Sequence, residues 1–171
     1  MKKKLILALL VLCAMLSSCA GAETELYAAS VGKADAILLK VNGAACLIDA
    51  GYLRSRGKIL YAMRQLGVSQ LDAVILTHTD SDHADGLEWL AESDIPVGTW
   101  YASKYFTGVK EKKHPAIQAA NARGQEVVWI SAGDTIALGG ATLNVLSPIQ
   151  PADTKENDNS LVMMLESADG R

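Results

Sequence analysis

Residues 76–86 read Leu-Thr-His-Thr-Asp-Ser-Asp-His-Ala-Asp-Gly, placing two of the three histidines and three aspartates within eight positions. The apolar run Val74-Ile75-Leu76 leads directly into them and reads as a buried strand. A solvated loop has no use for two imidazoles at this spacing, whereas a metal centre at a strand end needs them. His78 and Asp80 alternate by two, and Asp82 and His83 are neighbours on the following turn. A loop rising from a strand can turn the first pair into one metal position and the second pair into an adjacent one. Mixed nitrogen and carboxylate donors suit zinc, manganese or iron. Two such ions, about 3.5–4 Å apart, can activate a water and polarise an ester or phosphoryl oxygen. A calcium loop is excluded by spacing: with Asp80 and Asp82 at loop positions one and three, Ala84 and Gly86 fall where oxygen ligands belong. Asp80 or Asp82 alone would be an ordinary helix cap. The four residues together carry the signal.

The 171 residues suffice for one domain with a substantial core, and half of them are apolar. Part of that half belongs to the start of the chain. Met1-Lys2-Lys3-Lys4 is a basic segment, and residues 5–16 form an apolar run shorter than a bilayer span, so the start reads as an export signal. Leu16-Ser17-Ser18-Cys19 resembles a bacterial lipobox, which would leave a lipid anchor on Cys19. Ala20-Gly21-Ala22 offers the alternative, cleavage before Glu23, with a signal peptide over 1–22 and the domain over 23–171. Both place the domain outside the cytoplasm, as a membrane-anchored lipoprotein or a secreted or periplasmic protein. Of the three cysteines only Cys46 then remains, so no internal disulfide forms, and Cys46 reads as a small buried hydrophobe. Removing the signal's three lysines leaves 13 basic and 19 acidic residues, a net charge of −6. That balance does not suggest a broad electrostatic grip on nucleic acid. Lys110, Lys112 and Lys113 read as a solvated loop, and His114 beside them as a surface residue.

Short strands are predicted over 26–31, 36–41 and 45–48, with turns at Gly32-Lys33 and at Asn42-Gly43, the latter a hairpin signal. Ile59, Leu60, Met63 and Leu66 recur at helical spacing, and Gly67 stops that helix. Residues 71–76 are the strand feeding the motif, and 86–91 continue it as a short helix. A strand over 96–101, a helix over 115–122 and strands over 126–130, 135–138, 141–146 and 161–165 follow. Hairpins with helices inserted between later strands indicate a layered α/β (α+β) domain. Residues 167–171 are turn chemistry of the kind that launches another strand.

His-x-Asp-x-Asp-His followed by Gly86 resembles the metallo-β-lactamase superfamily signature His-x-His-x-Asp-His, with Asp80 in place of the second histidine. That replacement resembles the branch containing the extracytoplasmic domain of ComEC-type competence proteins and their stand-alone relatives. Val31-Gly32-Lys33-Ala34-Asp35-Ala36 is similar to that branch's Val-Gly-Gln-Gly-Asp-Ala, and Leu47-Ile48-Asp49-Ala50-Gly51 to its Leu-Ile-Asp-x-Gly. Glu156-Asn157-Asp158-Asn159-Ser160-Leu161-Val162 is similar to its Asn-x-x-Ser-Leu-Val strand entry.

The resemblance implies an αββα sandwich, of which this chain would supply the first half and part of the second. It implies that His78, Asp80, Asp82 and His83 ligate two divalent ions, zinc first and manganese or iron next, and that Asp82 also orients the attacking water. Asp49 would lie beneath the site and Asp35 near it, and Asn159 and Ser160 would line it. The family pattern goes on to a strand ending in Gly-Asp and a Ser-His-His-Gly-like segment, and this sequence stops before both, so the metal set within it is expected to be partial. The implied activity is metal-dependent hydrolysis of phosphodiesters, in a small molecule or in nucleic acid. The alternative is a non-catalytic exported lipoprotein module that keeps a partial metal site. Hydrolysis of a β-lactam or lactone shares the fold but is disfavoured by Asp80.

Overall fold

The computed structural model describes residues 23–152 and 155–167. The signal reading, Cys19 and residues 168–171 lie outside them. Six strands form one sheet in chain order: β1 (Thr24–Ala28), β2 (Ile37–Val41), β3 (Ala44–Ile48), β4 (Leu71–Leu76), β5 (Val97–Ser103) and β6 (Val127–Ile130). The first three are antiparallel, and β3 to β6 run parallel. Asn42 and Gly43 close the β2–β3 hairpin with positive φ at both positions (47° and 89°), as an Asn-Gly two-residue turn requires. The parallel strands need crossovers. These are α1 (Arg56–Gln65), the pair α2 (Ser81–Ala84) and α3 (Gly86–Glu92), and α4 (Pro115–Ala122). A second sheet follows from β7 (Thr135–Leu138), β8 (Ala141–Ser147) and β9 (Val162–Glu166).

The layers run helices, sheet, sheet. Ile59, Met63, Leu87, Leu90 and Ala119 fill the space between the helices and one face of the large sheet. Leu39, Val41, Cys46, Ala73 and Ile75 line its other face, against Ile136, Leu138, Leu143 and Val145 of the small sheet. A sheet buried on both faces explains why 71–76 is almost continuously apolar. Cys46 is a fully buried free thiol, as the sequence suggested, and burial followed by the nearby Asp72 charge pushes its pKa up. Among the described residues no helix is long and apolar enough to cross a membrane.

Two differences from the sequence reading concern how segments leave the sheet. The first strand lies at 24–28, not 26–31, because the chain peels away after Ala29, whose N–H donates to the Ala36 carbonyl (2.9 Å). This frees 30–36 to become a loop over the strand ends. His114, expected on the surface, is 1 % exposed. It caps α4 in an extended backbone conformation just before Pro115, which turns its ring inward between Phe106 and Trp129, at 4.8 and 5.0 Å between ring centres.

Burial of His114 lowers its pKa to about 4, against a smaller opposing pull from Glu156. Between pH 4 and 6.5 the unfolded chain therefore binds a proton that the folded chain refuses. Stability from this group is present at neutral pH and is expected to fall as pH drops through that window, by roughly 2–3 kcal/mol over its whole width. Chemical denaturation at several pH values, for the wild type and for His114→Leu, checks this; equal slopes in the two would sink it.

Candidate metal centre

The parallel pairing sets β3 and β4 side by side, with Ile48 opposite Ile75, so that Asp49 and Thr77-His78 emerge together at their carboxyl ends. Open α/β sheets place their ligand sites at such ends. Asp49 leaves β3 with φ at +56°, an uncommon backbone conformation that aspartate tolerates better than most residues. Its N–H donates to the Ile75 carbonyl (2.8 Å), and the next N–H, of Ala50, donates to the His83 carbonyl (2.8 Å). The motif helix is thus bolted to the β3 turn by its main chain.

Asp49 is buried, and its carboxylate organises the site. Oδ1 accepts from the Thr77 N–H (2.8 Å). Oδ2 accepts from the Thr77 hydroxyl (2.7 Å) and faces His83 Nδ1 at 2.7 Å. Elementary donor arithmetic then assigns both imidazoles. A carboxylate only accepts, so His83 Nδ1 carries the proton, and in the neutral ring the lone pair is on Nε2. The one hydroxyl proton of Thr77 is spent on Asp49. Its 3.0 Å contact with His78 Nδ1 is therefore donated by the ring, which leaves the lone pair of His78 on Nε2 as well. His78 Nε2 is buried and among the described residues has no hydrogen-bond partner, a costly state for a polar atom unless something else engages it.

The two rings lie 4.0 Å apart between centres. Each free Nε2 has a carboxylate nearby without touching it. His78 Nε2 is 3.7 Å from Asp80 Oδ2, and His83 Nε2 is 3.6 Å from Asp35 Oδ2. Among the described residues, no three or more His, Cys, Asp or Glu side chains are gathered closely enough to hold an ion together. The donors come as two pairs. Nitrogen lone pairs held free beside carboxylates, one of them orphaned in the protein interior, fit a divalent transition ion. Burial favours neutral His83, but the Asp49 hydrogen bond and the charges of Asp49, Asp35 and Asp82 outweigh it, and its pKa lies above the ordinary value.

The other sequence-derived residues fall as follows. Asp82 is half-buried in the first turn of α2, and its carbonyl accepts from the Asp35 N–H (3.1 Å). Asp35 is largely exposed on the 30–36 loop, yet it is the carboxylate that faces His83 Nε2. Ser160 borders the cleft beside His78 and His83, a space of about 510 Å³ walled by Ile37, Ile48 and Leu161. The Asn159 side chain turns away to close a loop on Ala152, accepting from its N–H (2.8 Å) and donating to its carbonyl (3.0 Å).

Glu156 was not singled out by its sequence. Its Oε1 accepts from the N–H (3.0 Å) and hydroxyl (2.9 Å) of Thr79, inside the motif. Its Oε2 accepts from the N–H and hydroxyl of Thr107. Burial raises its pKa, but these bonds outweigh burial and leave it below the usual value. A carboxylate within a stretch of Asn and Asp gives no signal of such a partner. Two threonines 28 residues apart, both needing an acceptor, would have been the only clue.

The sequence profile of the metallo-beta-lactamase superfamily matches residues 29–164. ComE operon protein 3 of Bacillus subtilis is 32% identical over 101 residues, which cover 59% of this chain and 13% of that protein. Among solved structures, Rm3 metallo-beta-lactamase superposes with a TM-score of 0.60 at 20% identity, covering 85% of this chain and 55% of that one. A metallo-beta-lactamase HARLDQ-motif mutant (S60) of Cronobacter sakazakii gives a TM-score of 0.55 at 22% identity, over 81% and 54%. The chain thus spans about half the length of these enzymes and a small part of the Bacillus protein. With the profile covering most of the sequence and the same layered fold in these structures, the chain belongs to the metallo-beta-lactamase superfamily.

Proposed function

We propose that this protein is an extracytoplasmic metal-dependent hydrolase of phosphodiesters. One observation carries the reading: a single buried carboxylate, Asp49, accepts from His83 Nδ1 and, through Thr77, orients His78, so that each neutral ring keeps its Nε2 free of a hydrogen bond. A satisfied core histidine has no need of this arrangement, and a metal ligand depends on it. His78 with Asp80, and Asp82 with His83, would hold two divalent ions, zinc first among the choices, with Asp35 close to the second. A bound ion supplies Lewis acidity that polarises a phosphoryl oxygen and acidifies water. The chain's own contribution is orientation. Asp49 keeps protons on both Nδ1 atoms, Asp82 aligns the attacking water, and the walls formed by Ile37, Ile48 and Leu161 limit bulk water on one side. The phosphodiester class draws support from the resemblance to the ComEC-type branch and from the likeness to ComE operon protein 3. The export reading of residues 1–22, with a lipid on Cys19 as one form, supports the location and a membrane-tethered state.

The test is hydrolysis of bis(p-nitrophenyl) phosphate by metal-stripped protein given back zinc or manganese. Metal-dependent turnover is expected, and His78→Ala with His83→Ala should lower it by about two orders of magnitude or more. Turnover that survives in the double variant would place the chemistry elsewhere. The pairing of donors favours one second reading, a non-catalytic module with a partial metal site. Metal titration separates the two: the hydrolase should take up two equivalents per chain, the module one or none.

A further inference from the structure

Asp49 orients the two imidazoles, but its hydrogen bonds go to Thr77 and His83 and none reaches Asp80, the carboxylate facing His78 Nε2. Nor is Asp80 fixed by its own side chain. It is the N-cap residue of α2, it makes no side-chain capping hydrogen bond, and its side chain is 43 % exposed. The main chain on either side therefore decides where that carboxylate sits. On the helix side, the Asp80 carbonyl accepts from the N–H groups of His83 and Ala84 (2.9 Å each). On the other side is Thr79, and both of its donors go to one oxygen of Glu156, the N–H at 3.0 Å and the hydroxyl at 2.9 Å.

Glu156 has a fixed base. It opens the 3-10 turn Glu156–Asn159, whose far end is pinned where the Asn159 carbonyl accepts from the buried Ser103 hydroxyl (2.8 Å) at the end of β5. Its second oxygen takes the N–H and hydroxyl of Thr107. Thr107 follows Phe106, whose ring stacks on Trp129 at 5.5 Å and meets His114 edge-on at 4.8 Å. One carboxylate oxygen is thus tied to an aromatic cluster of the fold, and the other to the residue that links His78 to Asp80. Immobilising a glutamate costs side-chain entropy, which four charge-assisted hydrogen bonds offset.

We propose that Glu156 is a positioning residue of the metal centre: it holds Thr79 in place and so sets the reach of Asp80 toward His78 Nε2, while Asp49 sets the rings. The inference rests on the reading of His78 and Asp80 as one ligand pair. Without Glu156 the Thr79–Asp80 segment is anchored only through α2, and a ligand whose support is loose binds its ion weakly. The His83 pair is independent of this brace. Asp82 lies within α2, its carbonyl accepts from the Asp35 N–H (3.1 Å), and Glu156 bonds to neither residue. The two donor pairs are therefore controlled by different carboxylates.

The test is zinc titration of the metal-stripped full chain, read by nitrogen-15 chemical shifts of the histidine rings so that each ligand position reports for itself. Glu156→Ala should raise the zinc concentration that shifts His78 Nε2 by about tenfold to a hundredfold, while His83 responds as in the wild type. Glu156→Gln, with one amide oxygen for four donors, should give a smaller displacement in the same direction. Thr79→Ser keeps both donors and should match the wild type. Circular dichroism melts establish folding, and the nearly isosteric Gln variant carries the test if the alanine variant unfolds. A merely structural role would move both histidines together or neither. Equal displacement at His78 and His83, no displacement at His78 in the folded variants, a Thr79→Ser chain as weak as Glu156→Ala, or a wild type whose His78 takes up no zinc would overturn the proposal. Glu156-dependent uptake at His78 without hydrolysis of bis(p-nitrophenyl) phosphate would defeat the hydrolase reading alone. Metal-dependent hydrolysis with uptake indifferent to Glu156 would defeat this one alone.

Discussion

An Asp49→Asn chain is expected to fold and yet to lose one to two orders of magnitude in metal affinity, with a comparable fall in turnover. The reason lies in the number of acceptors. Asp49 receives three hydrogen bonds, from the Thr77 N–H, the Thr77 hydroxyl and His83 Nδ1. An amide has one oxygen. If its nitrogen takes the Oδ2 position, it meets two donors, the Thr77 O–H and the His83 N–H. Relief comes only if His83 moves its proton to Nε2 and Thr77 turns its hydroxyl toward His78. Both changes put protons where lone pairs are needed. If the amide turns the other way, the half-buried Thr77 N–H loses its acceptor, at about 1–3 kcal/mol. Chelator competition measures the affinity. Nitrogen-15 chemical shifts of the histidine rings report the tautomers with no metal present. Wild-type affinity and unchanged ring shifts in the Asp49→Asn variant would refute the relay.

The second large effect is on stability. Gly86→Ala should cost at least about 2 kcal/mol and lower Tm by roughly 5–10 °C, although alanine is the better helix former by about 1 kcal/mol. A Cβ at position 86 would lie 2.0 Å from the Ala50 carbonyl oxygen and 2.8 Å from the Ala50 Cβ. It could not be accommodated by a rotating side chain, because the obstacle is backbone. The motif helix and the β3 turn meet here, where the Gly86 N–H donates to the Gly51 carbonyl (2.8 Å). Pushing them apart also displaces Asp49 from His83. Gly57→Ala supplies the contrast: in α1, with open space around its Cβ, it should be neutral or slightly stabilising. Calorimetry on both variants checks the pair. Equal melting temperatures would mean that the contact at Gly86 gives way freely.

How much of this was legible in the sequence differs by residue. The motif could be read because imidazole and carboxylate side chains are rare enough that their spacing speaks before folding. Asp49 could be read because an aspartate between an apolar strand and a glycine has few places to go. Asp35 was placed near the site but not opposite His83, since that depends on how the 30–36 loop leaves the sheet. His114 was misjudged because its chain neighbours are three lysines and a proline, while its real surroundings, Phe106 and Trp129, are supplied by other segments. Glu156 was invisible because it acquires meaning only from Thr79 and Thr107, partners brought to it by tertiary structure.

The clamp from Glu156 to Thr79 joins residues 77 apart in the chain. The N–H of Leu161, just before the last described strand, closes on the carbonyl of Thr77 (3.1 Å). Closing loops of this length is slow and is repaid only when many distant contacts form together. The Glu156 brace on Thr79 is therefore expected to close late in folding, after Asp49 has aligned the histidines from neighbouring strands. Exchange protection of the Thr79 and Thr107 N–H groups, rather than metal capture, should report that the last strand has docked.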